Sequence, residues 1–358
     1  MDAGSLAGTE PLSEAGRIDV RRLAAFLRDT IPGCAGEMSL ARFRGGQSNP
    51  TLLVSFANGR GVVLRKKPDG VLLPSAHAVD REYRVISALR GSDVPVPAAH
   101  LLCEDESLTG AMFYVMEHVA GRSFWDPSLP DMAAADRGQI YAEMRRVISA
   151  LHALDHEALG LADFGRPGSY FARQVARWSR QYRASETQPI PAMDGLIEWL
   201  PRNMPAERAP ALLHGDYRLD NVIFHPTEPR ILAVLDWELS TLGDPVADFA
   251  YHTLTWHLPP DPFRGLGGRD LRALGIPEEP RYRSAYFAAT GLPATTAREW
   301  NTYLAYSLFR VAAIRQGIMK RVVDGTASSP HARAAGALAA PVAELALGFA
   351  QRAERSDR

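Results

Sequence analysis

The stretch from Leu212 to Tyr251 limits what this chain can fold into more than any other part of it. Two short apolar runs, Asn221–Phe224 and Ile231–Leu235, are separated by a Pro- and Glu-containing turn, the pattern of a small β-ribbon. Side chains able to do chemistry sit at its ends. His214, Gly215 and Asp216 precede the first run, Asn221 opens it, and Asp236 follows the second. The order H-x-D-x-x-x-x-N, then an acid at a strand end, suits phosphoryl transfer, in which the protein mainly positions groups and neutralises charge. Asp216 is placed to accept or orient the proton of an attacking hydroxyl, and Asn221 and Asp236 can give oxygen ligands to Mg2+. His214 reads as a brace for the loop rather than a proton carrier. A metal hydrolase built on His214, Asp216 and Asp236 lacks a second well-placed His ligand pair.

Around this core the chain changes character once. Val20 to Ile31 places Leu23, Phe26, Leu27 and Ile31 at helical spacing. Apolar runs at Thr51–Phe56 and Val62–Arg65 flank Asn58-Gly59, a strong hairpin signal. His77–Leu89 then reads as a helix and Met112–Glu117 as a strand. From Asp131 onward helical patterns dominate, at Ile140–Leu154, Tyr170–Tyr182, Met193–Leu200 and Trp300–Val323. The expectation is an α+β, two-lobed architecture: a mobile leader over 1–17, a small β-rich lobe over 18–119 and a larger, mainly helical lobe over 120–358. The formal net charge of −1 argues against a nucleic-acid or membrane-surface binder, which needs a large basic excess. Cys34 and Cys103 show no metal-ligand spacing and read as packed apolar side chains. The N-terminus lacks the basic and apolar regions of a secretory signal, and Ala334–Phe349 is interrupted by Gly336, Pro341 and Glu344. No membrane helix is expected, and a cytoplasmic setting is.

With HGDxxxxN starting at His214, Asp-Trp-Glu at Asp236 and GDPxxD ending at Asp248, the sequence from Phe43 to Arg321 resembles the aminoglycoside phosphotransferase family. Within that family it is similar to the kinase-like domains found alone in bacteria or fused to acyl-CoA dehydrogenase modules. The resemblance implies a protein-kinase-like fold with ATP as co-substrate and Mg2+ as cofactor, and makes Asp248 a brace for the catalytic loop. In the small lobe, Gly45, Gly46 and Ser48 precede the first strand of the hairpin, where backbone N–H groups could cover phosphates or form a plain turn. Arg65 stands where kinases carry a phosphate-pairing Lys. Arg can hold phosphates bidentately, and Lys67, on the same strand face, is the alternative. Glu82, on the next helix, is the partner of that cation. The resemblance also sets adenine against the backbone of Glu117 and Val119. Arg218, two residues after Asp216, occupies a place where protein kinases often put a Lys that contacts the γ-phosphate, and is expected to neutralise transferring charge.

For the acceptor, charge is the guide. Residues 251–358 carry 14 Lys and Arg against 9 Asp and Glu, an excess of five that disfavours a polycation and favours a neutral or anionic acceptor. Arg173, Arg177 and Arg180 recur at i, i+4 and i+7 with no acid between Gly168 and Arg183. They form either a grip for substrate phosphates or an ordinary solvated face. The expected function is an ATP- and Mg-dependent kinase for a hydroxyl of a neutral or anionic metabolite, with hydroxyacyl-CoA suggested by the fusions of the resembling domains. The alternatives are an aminoglycoside or other antibiotic phosphotransferase, and a non-catalytic nucleotide-binding module. Arg65 in a Lys position motivates the last of these, while Asp216, Asn221 and Asp236 argue against it.

Overall fold

Period-two burial and one tight turn organise the first sheet. The computed structural model describes residues 8–12, 18–44, 49–68, 78–166, 168–327 and 329–356. In chain order it begins with β1 (Thr9–Pro11), α1 (Val20–Thr30), β2 (Met38–Phe43), β3 (Thr51–Phe56), β4 (Gly61–Lys66), α2 (Val79–Ala88), β5 (Ala99–Cys103) and β6 (Phe113–Glu117). The strands form one antiparallel sheet in the order β1-β2-β3-β4-β6-β5. Gly59, at φ +86°, supplies the positive φ that closes the β3–β4 hairpin, and its N–H donates to the Phe56 carbonyl at 2.9 Å. Alternation then sorts the faces. Leu52, Val54, Phe56, Val62, Leu64, Phe113 and Val115 join Leu23, Leu27 and Ile31 of α1 in one core. Val63, Arg65 and Tyr114 therefore belong to the opposite face. Lys66, back on the α1 side, donates its Nζ to the Thr109 carbonyl at 2.7 Å.

The leader expected to be mobile contributes to this sheet, since Thr9–Pro11 pairs antiparallel with Ala41–Phe43 as its edge strand. A three-residue edge needs only backbone groups, so it leaves no hydrophobic signature in the sequence. Residues 1–7 and 13–17 lie outside the described residues.

After β6 come α3 (Ala134–Ala153), α4 (Tyr170–Ser185), α5 (Pro191–Asn203), β7 (Ala211–Leu213), β8 (Val222–Phe224), β9 (Ile231–Val234), β10 (Thr241–Gly243) and α6 (Pro245–His252). The chain ends with α7 (Leu254–His257), α8 (Leu271–Leu274), α9 (Glu279–Thr290), α10 (Ala297–Val323), α11 (Ala332–Ala337) and α12 (Ala339–Arg355). Two compact units result: Met1–Asp126 with Leu159–Leu161 and Leu219–Ser240, and Pro127–Ala158 with Ala162–Arg218 and Thr241–Arg358. The β8–β9 hairpin thus groups with the sheet, whereas the expected division gave 120–358 whole to one lobe. Backbone pairing is the reason. Arg122 and Phe224 exchange two N–H···O bonds of 2.8 Å, and the Val234 N–H donates to the Pro95 carbonyl at 2.8 Å. A Cβ at Gly121 would lie 2.2 Å from the Phe224 carbonyl oxygen, so glycine is required for this approach.

In the second unit α10 is the central helix. Thr296 and Glu299 form a capping box at its start. Trp300, Tyr303, Leu304, Leu308, Phe309, Ala312 and Ala313 are buried along it, and α4, α5, α6 and α12 pack on it. Residues 332–355 are long and apolar enough, by length and composition alone, to cross a membrane, contrary to the expectation drawn from Gly336, Pro341 and Glu344. Pro341 does not interrupt the helix because it sits in the first turn of α12, where no intrahelical partner for an N–H exists. Val342, Ala343, Ala346, Phe349 and Ala350 of α12 are buried, and the helix lies along α10 as a core element. β7 pairs antiparallel with β10, so the loop beginning at His214 leaves directly from a two-stranded ribbon.

Candidate active site

In the sheet-containing unit, Arg65 is the cation around which three carboxylates gather. Its place follows from the β4 alternation, which turns it away from the α1 core. Its Nε lies 2.9 Å from Glu82 Oε2, and its Nη2 lies 2.5 Å from Asp236 Oδ1 and 3.8 Å from Glu238 Oε2. Glu82, 1% exposed, is fixed from two further sides. Asn49 Nδ2 donates to Oε1 at 2.8 Å, and the Tyr114 hydroxyl donates to Oε2 at 3.2 Å. Burial pushes the Glu82 carboxyl up to about 7 against the pull of Arg65, with Asp236 and Glu238 adding to the rise. Burial works against the Arg65 charge, yet Glu82 and Asp236, with Tyr114 and Glu238, hold it above the usual arginine range. Lys67, the alternative cation, lies 3.6 Å from Asp80 instead.

Asp236 follows β9 in the left-handed region, at φ 65° and ψ 61°, and opens the short 3-10 turn Trp237–Leu239. Its side chain makes no cap hydrogen bond, so its carboxylate is turned to other partners, Arg65 among them. The Trp237 indole N–H anchors the turn on the Val234 carbonyl at 3.0 Å. Asn221 ends the turn before β8, and its carbonyl accepts the Leu235 N–H at 2.8 Å, which ties it to the residue preceding Asp236. One guanidinium facing three carboxylates leaves an excess of negative charge that a divalent cation can balance. Among the described residues there is no cluster of three or more His, Cys, Asp or Glu arranged for a metal. A carboxylate and an amide oxygen without such a cage fit Mg2+, which usually takes one or two protein oxygens and completes its shell with phosphates and water.

In the helical unit, the loop after β7 is fixed by a buried acid. Asp248 of α6, 3% exposed, accepts the His214 N–H at 2.8 Å and the Gly215 N–H at 2.9 Å, and His152 Nε2 lies 3.3 Å away. Burial alone would raise this carboxyl; His152 and His214 hold it below its ordinary value. His214 Nδ1 in turn accepts the Asp216 N–H at 3.1 Å, while Gly215 takes φ +83°. Arg310 Nη2 donates to the Gly215 carbonyl. Asp216 is then oriented through Oδ1, which accepts the Tyr251 hydroxyl at 2.5 Å and lies 3.1 Å from Arg218 Nε. Burial and the neighbouring Asp216 push the Tyr251 phenol well above its usual range, so it stays a donor.

The remaining sequence candidates are dispersed. Gly45, Gly46 and Ser48 lie outside the described residues. Glu117 ends β6 exposed, its N–H donating to the Ala98 carbonyl at 2.8 Å and its Oε2 accepting the Ala98 N–H at 3.2 Å; Val119 is half-buried. The arginines of α4 separate. Arg173 Nη2 donates to the Arg166 carbonyl at 2.6 Å, Arg180 is exposed, and Arg177, also exposed, lies over the Trp178 ring at 5.1 Å. Sequence reasoning missed Asn49, Tyr114, Glu238, His152, Tyr251 and Arg310. Tyr251 and Glu238 stand inside the motif-bearing stretch and could have been flagged there. The others carry no local signal.

Substituting Arg65 tests the first cluster. Arg65→Ala removes the partner of a buried glutamate and is expected to cost roughly 3–5 kcal/mol of stability, read by denaturant unfolding, and to weaken nucleotide binding at least as much as Arg65→Lys does. Arg65→Lys keeps the charge but loses the fork that reaches Glu82 and Asp236 through separate nitrogens. Damage from Lys67→Ala together with an innocuous Arg65→Ala would transfer the role to Lys67.

Comparison with known proteins bears on the family and the fold. A family model described as the phosphotransferase enzyme family matches residues 39–300. Mouse acyl-CoA dehydrogenase family member 10 is 46% identical over 347 residues, which is 96% of this chain and 32% of that protein. Chicken acyl-CoA dehydrogenase family member 11 is 42% identical over 354 residues, 96% of this chain and 45% of that protein. The chain therefore spans less than half the length of these relatives. A Ralstonia eutropha JMP134 crystal structure, provisionally named an aminoglycoside phosphotransferase, is 53% identical with a TM-score of 0.83, covering 93% of this chain and 98% of its own. A thermostable mutant of an aminoglycoside phosphotransferase, solved with ADP and hygromycin B, is 15% identical with a TM-score of 0.58. It covers 91% of this chain and 97% of its own, and shares the fold alone.

Proposed function

This chain belongs to the phosphotransferase enzyme family, and from that membership we propose that it transfers the γ-phosphoryl group of ATP to a hydroxyl of a neutral or anionic metabolite, hydroxyacyl-CoA being one candidate. The observation that carries the reading is Asp216. A carboxylate held on one oxygen by Tyr251 and Arg218, on a loop pinned by Asp248, is a positioned proton acceptor. The acceptor oxygen forms its bond to the γ-phosphorus as the bond from that phosphorus to the β–γ bridging oxygen breaks. ADP leaves with that electron pair, and the hydroxyl proton passes to Asp216. Arg218 offsets charge on the transferring group. Arg65 pairs with nucleotide phosphates while Glu82 keeps it aimed. Asp236 and Asn221 would hold Mg2+, which supplies neutralisation of phosphate charge when bound.

A neutral or anionic acceptor is supported by the basic excess of residues 251–358 and by relatives whose names place them among acyl-CoA dehydrogenases. The provisional name of the 53% identical Ralstonia protein supports an aminoglycoside as the second reading. Incubation with Mg-ATP and separate panels of hydroxyacyl-CoA thioesters, hydroxy acids and aminoglycosides, read by mass spectrometry for added phosphate, decides between them. Phosphate is expected on an anionic acceptor and not on kanamycin. Efficient phosphorylation of kanamycin would reverse the assignment, and the absence of both ATP turnover and nucleotide binding would remove the kinase reading.

A further inference from the structure

Close to Asp216, the helical unit holds a buried guanidinium, that of Arg310, beside an exposed one, that of Arg177, and neither has a carboxylate within ion-pair distance among the described residues. Arg310 of α10 is 7% exposed and makes no ion pair within 4 Å among the described residues. Its Nη2 donates to the Gly215 carbonyl, and its Nε is buried with no hydrogen-bond partner. Its guanidinium lies 4.8 Å from the Tyr251 ring centroid and 5.5 Å from that of Trp178. Arg177 of α4 lies 5.1 Å from the same indole and has no hydrogen-bond or ion-pair partner among the described residues. The two cations therefore share one aromatic ring. Burial and the Arg310 charge push Arg177 below its usual range. The phenols of Tyr170 and Tyr306 lie within electrostatic reach of both.

Asp216 favours the Arg310 charge, whereas the Arg177 charge, beside Arg310, has no carboxylate to offset that repulsion. Stacking on Trp178 and Tyr251 offsets part of that cost but leaves the buried Arg310 Nε–H without an acceptor. An oxyanion would supply one, because guanidinium forks match carboxylate and phosphate oxygens. We propose that Arg177 and Arg310, backed by Trp178, form a subsite for a carboxylate or phosphate group carried by the acceptor. The inference rests on the kinase reading and narrows its acceptor to an anion. Arg310 bonds the carbonyl of the residue before Asp216, so the acceptor's charged group and its reacting hydroxyl are near neighbours in one small molecule. Arg173 is excluded from the subsite because its guanidinium is engaged by the Arg166 carbonyl.

Inorganic phosphate titrated calorimetrically into the full chain tests the subsite directly. The titration is run with the protein alone and with Mg2+ and a non-hydrolysable ATP analogue at saturation, so that phosphate cannot report on the nucleotide's place. One saturable phosphate is expected under both conditions, weakened about tenfold or more in Arg177→Gln, weakened by added chloride, and unchanged in Arg173→Gln. Lack of saturable phosphate binding, or equal affinity in wild type and Arg177→Gln, overturns the proposal even where the ATP analogue binds. Failure of the analogue to bind counts against the kinase reading, while an Arg177-dependent phosphate signal in the protein alone still upholds the subsite.

Discussion

Asp216→Asn is expected to lower turnover by roughly 10²–10⁴ while nucleotide affinity stays close to that of the wild type. The substitution keeps the shape of the side chain and removes its ability to take a proton. It also disturbs the orientation of the group, because Oδ1 accepts from Tyr251 at 2.5 Å and sits 3.1 Å from Arg218. An amide can accept from one of these donors through its oxygen, but it no longer carries the charge that draws Arg218. Acceptor-dependent ADP release under saturating ATP measures the loss, and calorimetry with an ATP analogue measures the affinity. Near-normal turnover in the variant would assign proton acceptance to another group. Tyr251→Phe is a gentler companion. It removes the hydroxyl alone, and a smaller fall in turnover than that of Asp216→Asn is expected from it.

The second large effect is expected at Asp236, in affinity rather than rate. Asp236→Asn should weaken nucleotide binding in saturating Mg2+ by about tenfold or more, and should remove most of the difference between titrations with and without the metal. Asn is preferred to Ala here because Asp236 sits at φ 65°, a conformation Asn tolerates better than most residues. The loss in binding is then separated from backbone strain. Arg65 keeps Glu82 at 2.9 Å in this variant, so unfolding midpoints should move little. Equal affinity in the variant and wild type with saturating Mg2+ would falsify the metal-ligand assignment.

These two residues were legible because their signals are local. Asp216 and Asn221 lie on one short loop, and Asp236 follows directly on an apolar strand, so spacing along the chain already positions them. Arg65 was legible through the family resemblance, which sets a cation at that place; β4 is buried along nearly its whole length, so alternation alone does not single it out. Period and turn chemistry likewise gave the β3–β4 hairpin, α1 and α10. The edge strand β1 and the strands β2 and β5 were not legible. Their segments are short or only partly buried, and pairing with a neighbour, not side-chain pattern, defines them.

What the amino-acid order determined alone is therefore which chemical groups exist and, over spans of five to ten residues, which of them share a loop, a strand end or a helix face. What only the tertiary structure decided is which partners set their behaviour. Asp248 reaches the His214 N–H across 34 residues, Tyr251 reaches Asp216 across 35, Arg310 reaches Gly215 across 95 and Arg65 reaches Asp236 across 171. The α4 arginines make the same point: one face in the sequence, they divide between a loop carbonyl, solvent and a shared indole once α10 packs against α4. The physical reason is that periodicity along an element follows from backbone geometry. A hydrogen bond or ion pair between distant residues exists only after the core has packed and brought both partners to one place.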